Sequence, residues 1–289
     1  EDVSIDINVL NNDSYLTTSP IIVDIGLPTD GTAYLEDNIV RYVPDDNFFG
    51  TDSISYNITQ GSKTSSSNIS IVINSVNDVP TFDNLLSTYR VDENQTAVTS
   101  ISASDVEEES LTISLGGEDE SEFNLSSSNV LTFNEAPDYE TKNTYELIVS
   151  VTDGIDVLNK DVTVKLNNLN DNVPVFTSDS VLSGDENQRA IGTIIATDAD
   201  GDALTFSISA GADADIFTIG SSSGDVTFTS APDFEIPGDA NSDNVYELTV
   251  RVSDGTAAAV QAFTVTVTND TSDDPVTTNY DGVLIRDGY

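Results

Sequence analysis

Apolar and polar residues alternate along much of this chain with a period of two, the spacing that turns one face of a β-strand into a core and the other toward water. Tyr145, Leu147, Val149 and Val151 alternate with Glu146, Ile148, Ser150 and Thr152. Tyr246, Leu248, Val250 and Val252 alternate in the same way with Glu247, Thr249, Arg251 and Ser253. Further strands are predicted over Leu111 to Leu115, Leu204 to Ile208, Phe263 to Val267, Ile54 to Ile58 and Ile69 to Ile73. No sustained helical stripe competes with them, so the expected fold class is all-β, built from half-buried strands of the sandwich type.

The second and third parts of the chain repeat one another. Val79-Pro80-Thr81-Phe82 returns as Val173-Pro174-Val175-Phe176, and Asp92-Glu93-Asn94-Gln95 as Asp185-Glu186-Asn187-Gln188. Ser104-Asp105-Val106-Glu107 answers Thr197-Asp198-Ala199-Asp200, Ala136-Pro137-Asp138-Tyr139-Glu140 answers Ala231-Pro232-Asp233-Phe234-Glu235, and Thr152-Asp153-Gly154 answers Ser253-Asp254-Gly255. The offset is 93 residues between Asp92 and Asp185 but 101 between Asp153 and Asp254, a growth that the polar insertion Ile236 to Asn244 explains as a surface loop. Each unit has the size of a seven-stranded sandwich, roughly 100 residues. The expected modules are 1–78, 79–172 and 173–274, with 275–289 entering a further module or linker. The first module is divergent and carries a hairpin-like middle from Tyr42 to Gly50.

Charge narrows the chemistry. With 51 acidic against 9 basic residues the net charge is −42, a self-repulsion that counter-ions or divalent cations must offset. Nucleic acid and anionic membrane surfaces are excluded as partners, because the few Lys and Arg are scattered singly. There is no Cys and no His, which removes disulfides, thiolate metal sites, cysteine nucleophiles and the commonest general base. No apolar run approaches the ~18 residues of a bilayer span, so direct membrane insertion is not expected of this segment. The chain starts with Glu1 and no signal-like stretch, and is expected to be an excerpt whose export signal or anchor lies elsewhere.

One stretch concentrates oxygen donors. Asn170, Asp171 and Asn172 stand in a row just before Val173-Pro174, where proline stiffens an extended joint that can neither join a helix nor pack a core. Calcium takes six to eight oxygen ligands in a tolerant geometry and suits a chain rich in Asp and Asn without His or Cys. Acidic loops are usually just solvated surface, and a lone Asp-x-Asp would be read that way. Asp198-Ala199-Asp200-Gly201-Asp202 has the start of an EF-hand loop, but the twelfth position is Ser209 and the flanks read as strands.

The ordered set Asp92-Glu93-Asn94, Pro137-Asp138-Tyr139-Glu140, Asn168-Leu169-Asn170-Asp171-Asn172, Asp198-Ala199-Asp200 and Ser253-Asp254-Gly255 resembles the ligand set of tandem cadherin repeats, over roughly residues 79 to 275. Residues 1–78 resemble the cadherin-like repeats of large bacterial surface proteins, through an acidic start, a Pro-Asp-x-Asn-Phe-x-Gly turn and an Asn-Asp-x-Pro exit. The resemblance implies tandem Greek-key, immunoglobulin-like β-sandwich modules arranged end to end, with several Ca2+ ions at the module junctions. For the second junction it implies Glu93, Asp138, Glu140, Asn170, Asp171, Asn172, Asp198, Asp200 and Asp254 as ligands, with Leu169 giving only its carbonyl. For the first it implies Asn77, Asp78, Asp105, Glu107 and Asp153, with Glu1 and Asp45 or Asp46 from the first module. For the last it implies Glu186, Asp233, Glu235, Asn269 and Asp270, beside a joint, Thr271 to Pro275, that fits the pattern poorly. Asn168 stands where the family more often has Asp, and Glu107 where Asp is expected.

The implied function is a non-enzymatic, calcium-rigidified extension region of an exported adhesin, extracellular and either cell-surface or secreted, bacterial by the character of the first module. The rival is that the modules themselves bind a cell-surface protein, a like module or extracellular polysaccharide. A glycosidase needs two carboxyls across a sugar-binding cleft. With no Trp and few aromatics in loops, that reading ranks last. A Lys–Asn crosslink finds no lysine at matching repeat positions among Lys63, Lys142, Lys160 and Lys165.

Overall fold

The computed structural model describes residues 1–12, 18–274, 276–278 and 284–286, and among them the regular elements are strands apart from two short 3-10 turns. The first sandwich is made by β1 (Ile5–Ile7), β2 (Ile21–Ile25), β3 (Gly31–Glu36), β4 (Ile39–Pro44), β5 (Gly50–Gln60) and β6 (Lys63–Ile73). One sheet has the order β1-β4-β3 and the other β2-β5-β6. Alternation does the work: Val40 and Tyr42 from one sheet, and Ile22, Ile54, Ile71 and Ile73 from the other, are buried together. The expected hairpin at Tyr42 to Gly50 is instead a crossing between sheets, since β4 pairs with β1 and β3 while β5 pairs with β2 and β6. Pro44, with no N–H to extend the ladder, and Asn47 and Gly50 at φ of 61° and 137° let the chain leave one layer for the other.

Next come β7 (Thr81–Phe82), β8 (Thr88–Asp92), β9 (Ala97–Ser100), β10 (Ala103–Ser104), β11 (Thr112–Gly116), β12 (Phe123–Leu125), β13 (Val130–Phe133), β14 (Thr144–Thr152) and β15 (Val157–Asn167). They form sheets of order β11-β14-β15-β8 and β12-β13-β9, with β7 pairing β10. The third set repeats this plan with β16 (Val175–Phe176), β17 (Val181–Asp185), β18 (Ala190–Thr193), β19 (Ala196–Thr197), β20 (Thr205–Ala210), β21 (Phe217–Ile219), β22 (Asp225–Phe228), β23 (Val245–Ser253) and β24 (Ala258–Thr268). Its sheets run β17-β24-β23-β20 and β18-β22-β21, with β16 pairing β19. Last, β25 (Val276–Thr278) pairs antiparallel with β26 (Leu284–Arg286). Otherwise the expectation for 275–289 lies outside the described residues.

The repeat reaches the cores. Phe123, Phe133 and Tyr145 meet at ring-centroid distances of 4.3 to 5.8 Å, and Phe217, Phe228 and Tyr246 repeat the triad at 5.1 to 6.1 Å. Tilted and edge-on contacts of this kind add to the gain from burial. Leu147, Val149, Val151, Leu248, Val250 and Val252 are all at most 2% exposed, as their alternation predicts. These are tandem β-sandwich modules. By backbone proximity the chain gathers into two compact units: Glu1–Val91 with Thr96–Glu135 and Thr144–Lys165, and Asp92–Gln95 with Ala136–Asn143 and Leu166–Tyr289.

The insertion Ile236 to Asn244 forms no strand, as expected of a loop, yet Asp239 within it is 6% exposed and accepts the backbone N–H groups of Asp243 and Asn244. The first sandwich holds a comparable anchor. Asp52, 3% exposed, accepts from the N–H groups of Thr29 at 3.1 Å, Asp30 at 3.0 Å and Ser53 at 2.7 Å, and from the Tyr42 hydroxyl at 3.0 Å. Burial pushes its carboxyl up, but the four donors win and hold it below the usual range, while burial raises the Tyr42 hydroxyl. Asp52→Ala strands those donors, and an unsatisfied buried polar group costs ~1–3 kcal/mol. The variant is expected to lose on the order of 3 kcal/mol of unfolding free energy by urea titration. An unchanged midpoint would show that water replaces the carboxylate freely.

Candidate metal centres

A glutamate organises each joint, and in the second and the last it is buried. Glu93 follows β8, is 1% exposed, and accepts from the N–H of Leu169 on one oxygen and of Tyr139 on the other, both at 2.7 Å. Its own N–H donates to the Asn167 carbonyl at 3.3 Å. The next residue, Asn94, takes φ of 62° and donates to the Pro137 carbonyl at 2.9 Å, a left-handed turn that Asn tolerates better than most residues. Three separated stretches are thereby tied to one point: the turn after β8, the Pro137-Asp138-Tyr139-Glu140 loop, and the exit from β15. Glu186, 2% exposed, repeats the clamp on Phe234 and Asp270, with Asn187 at φ of 58°. Glu1 makes half of it, accepting from Val76 N–H at 3.2 Å.

What the clamps gather is like charge. Carboxylate oxygens of Glu93, Glu140, Asp171 and Asp200 lie within 4.8 Å of one another, and so do those of Asp198, Asp200 and Asp202. Asp200 belongs to both groups; it accepts the N–H of Asp171 at 3.1 Å and of Asn172 at 2.8 Å, and the Asn172 amide at 3.0 Å. The Asn172 amide is the main cause holding Asp200 below the usual carboxylate range. Glu140 moves the other way, raised first by desolvation and then by the charges of Glu93 and Asp200. Asp254 spends one oxygen on Thr256 and Ala257 N–H, both at 2.6 Å, in a turn where Gly255 has φ of 102°. Its other oxygen, one of Asp198 and the Asn170 carbonyl oxygen are buried without any hydrogen-bond partner. Leu169 points its side chain partly to water, and its carbonyl accepts from Asp171 N–H at 3.1 Å. Asp138 lies exposed outside this group, closing its own turn on Thr141 and Glu140, and the Thr141 hydroxyl lowers its carboxyl. Every residue in this cluster belongs to the second unit.

The first cluster joins Glu1, Asp78 and Glu107 within 4.8 Å. Glu107 accepts from Asp78 N–H at 3.0 Å, and Asp105 from Glu107 N–H at 3.1 Å. The Asn77 amide bridges Asp153 and Asp156, each at 2.9 Å. Asp153 is held low, chiefly by the Ile155 N–H. Oxygens of Glu1, Asn77, Asp78, Asp105 and Glu107 are buried and unpartnered. Asp45 and Asp46 are exposed and stay outside this group; Asp2, whose oxygen takes the Asn47 N–H at 3.2 Å, ties that turn down instead. The last cluster joins Glu186, Glu235 and Asp273 within 4.8 Å. Desolvation first, then the neighbouring Asp274 and the charge of Glu186, raise Glu235. Asp274, 5% exposed, has both oxygens unpartnered, as does the Asn269 carbonyl oxygen. Asp233 and Asp270 are exposed and accept from Ile236 and Ser272 N–H.

Four residues escaped the sequence reading: Asp156, Asp202, Asp273 and Asp274. The acid in Asp153-Gly154-Ile155-Asp156 was visible, and Asp202 was set aside with the rejected EF-hand pattern. Asp273 and Asp274 sit in a joint whose spacing matches the other two poorly. The donors are all oxygen, some desolvated and without a hydrogen to accept, which fits a hard cation such as calcium and no thiolate- or imidazole-loving metal.

A sequence profile of the family described as bacterial Ig domain matches residues 1–72 and 170–272, more than half of the chain. Human protocadherin Fat 1 is 37% identical over 147 residues, 47% of this chain and 3% of that protein. The Fat-like cadherin-related tumor suppressor homolog of Drosophila melanogaster is 34% identical over 106 residues, 34% of this chain and 2% of that protein. The chain thus spans only a few per cent of the length of these relatives. Among solved structures, mouse cadherin-23 EC22-24 aligns with a TM-score of 0.59 at 20% identity, covering 90% of this chain and 89% of that one. Protocadherin gammaB7 EC3-6 aligns at 0.61 and 20% identity, covering 94% and 71%. The fold is therefore that of tandem cadherin repeats, and by the profile match the chain belongs to the bacterial Ig domain family.

Proposed function

We propose that this chain is a calcium-stiffened, non-enzymatic stretch of an extracellular adhesion protein, with modules 1–78, 79–172 and 173–274. The observation that carries the reading is the set of desolvated, donor-less oxygens at each joint, which a cation would satisfy and a hydrogen-bond network does not. Glu93, Glu140, Asp171, Asp198, Asp200 and Asp254 would hold the ions of the second joint, with Asn170 and Asn172 nearby and Asp138 joining from the adjoining turn. Glu1, Asn77, Asp78, Asp105, Glu107 and Asp153 would serve the first. Glu186, Glu235, Asn269, Asp273 and Asp274 would serve the last. A bound cation supplies charge neutralisation and a fixed crosslink between segments. The chain's own part is to prepare the oxygens, through the glutamate clamps and the Asx turns at Asp153 and Asp254.

Adhesion is supported by the likeness to cadherins, and so is an extracellular setting. A bacterial source is part of the proposal and rests on the family description. A cell-surface protein is the favoured partner. Polysaccharide binding has no observation behind it.

Calcium is expected to raise the melting temperature, since it binds the gathered native oxygens and not the dispersed unfolded ones. Magnesium, bound in a small octahedral shell and reluctant to shed water, is expected to do so poorly. Small-angle scattering is expected to show less interdomain mobility in millimolar calcium than in chelator. Equal responses to both ions, or none, would overturn the reading.

Asp171→Ala tests the second joint alone. The residue is exposed and outside every strand, so its loss opens no core cavity, yet it supplies one of four clustered carboxylates. Fewer calcium ions by titration and a near-normal far-ultraviolet circular dichroism spectrum are expected. Unchanged stoichiometry would remove Asp171 from the ligand set.

A further inference from the structure

The third repeat departs from the second in one loop. Between Glu235 and β23 it runs through the insertion Ile236 to Asn244, whereas the second passes from Glu140 to β14 through Thr141, Lys142 and Asn143 alone. The ends of the two loops correspond: Leu166 N–H donates to Asn143 O at 2.9 Å and Val267 N–H to Asn244 O at 3.0 Å. Asn143 is exposed, but Asn244, closing the longer loop, is only 9% exposed. The Asn244 side-chain amide donates to Phe234 O at 2.9 Å and its backbone N–H to an Asp239 oxygen at 3.2 Å. Its carboxamide oxygen is buried with no hydrogen-bond partner. A buried oxygen without a donor is a place for a cation or a water.

The loop that ends on this oxygen carries other oxygens at a telling spacing. Asp239, Asn241 and Asp243 alternate with Ala240 and Ser242, the first, third and fifth places of a calcium loop of the EF-hand kind. The sixth place of such a loop makes a sharp turn, and Asn244 makes it here at φ of 60°. Asp239 is 6% exposed and accepts the N–H groups of the fifth and sixth residues, Asp243 at 2.8 Å and Asn244 at 3.2 Å. The seventh place gives a backbone carbonyl. Because Asn244 is bonded to Val267, the next residue, Val245, turns its carbonyl to the opposite edge of β23. On that edge Val245 N–H donates to Asp243 at 2.9 Å, and Asp213 accepts the N–H groups of Ala240 and Glu247, both at 2.7 Å. The insertion therefore lies against it. The twelfth place is Val250, buried in the core, so the glutamate of a full EF-hand is missing and the Asn244 oxygen is the extra donor.

We propose that the insertion is a calcium site of its own, apart from the joints, built from the side-chain oxygens of Asp239, Asn241, Asp243 and Asn244 and the Val245 carbonyl, with water completing the shell. The Asn241 amide donates to Asp243 at 3.0 Å, and a half-turn of that carboxamide presents its oxygen instead. All of these donors belong to one loop and the strand that follows it, so the site does not depend on ions at any joint. Two carboxylates among neutral donors make a weak site, half-saturated at ~0.1–1 mM calcium. Its effect is local stiffening. Asn244 holds the carbonyl of Phe234, whose N–H lies on the clamp Glu186 at 2.9 Å, so an ion here steadies the segment that carries Glu235.

Calcium titration of the full chain, followed by backbone amide NMR, tests the site residue by residue. The resonances of Ser242, Asp243 and Asn244 are expected to shift with a midpoint at ~0.1–1 mM. Asp243→Lys changes an exposed residue to the one that the second repeat has as Lys142, and is expected to abolish those shifts while Leu169 and Asp171 of the second joint respond as before. Asn244→Gly keeps a residue that adopts positive φ freely and removes the orphaned oxygen, and is expected to raise the midpoint by about ten-fold. Loop shifts that persist while the joint amides ignore calcium would support this site and count against the joints alone. Loop amides that ignore calcium, as they would if water satisfies Asn244, would overturn the proposal. So would loop shifts that Asp243→Lys leaves intact.

Discussion

Like charge held at close range is the constraint on which the rest of this molecule depends. Carboxylates gather within 4.8 Å of one another in four groups, two of which share Asp200, and the exposed Arg41 pairs with Asp6. A chain with so few cations cannot neutralise its acids with side chains. It uses the backbone: Glu93, Glu186, Asp52, Asp153, Asp239 and Asp254 each accept two or more main-chain N–H groups. Such bonds favour the charged form and tether loops in the same act. The remaining oxygens are turned toward each other, where only a cation would balance them.

That arrangement explains why the joints are made of loops while the sandwiches stay apolar. Strand alternation sends Leu147, Val149 and Val151 inward without regard to charge, and the acids collect where strands end. The clamp glutamate is the exception that links the two regimes. It is buried as deeply as a core valine, yet its partners are N–H groups of the Tyr139 loop and the Leu169 joint. Stability of the sandwich and geometry of the joint are therefore coupled through one side chain, with no shared hydrophobic contact required.

Much of this was legible in the sequence because it rests on local periodicity and on repetition. The alternating strands emerged within a residue or two, Leu111 to Leu115 as Thr112–Gly116 and Leu204 to Ile208 as Thr205–Ala210. Strands were longer than their apolar portions where a partner ladder carried polar residues, as in Lys63 to Asn68 of β6, because pairing and not burial defines those segments. The crossing at Pro44 to Gly50 was missed because a turn sequence does not say which sheet the next strand joins. Acids at the expected ligand positions separated by setting: Glu93, Glu140, Asp171 and Asp200 converged, while Asp46 stayed in water. Asp273 and Asp274 were obscured by a joint of unlike spacing.

The divergence of the first sandwich follows from the same physics. Its core is the smallest set of buried apolar residues, and its clamp is made on one side only, by Glu1 on Val76. It compensates with Asp52, which has no counterpart at the same place in the repeats and ties Thr29, Asp30 and Tyr42 across the sandwich. In the second and third sandwiches Asp119 and Asp213 perform a related task from a different strand connection, accepting the N–H of Glu146 and Glu247. Each module thus sets a buried aspartate against backbone donors, at the same place before a 3-10 turn in the second and third and on β5 in the first. The strands can diverge as long as a core, a buried acid with enough N–H donors, and a rim of oxygens at the joint are all retained.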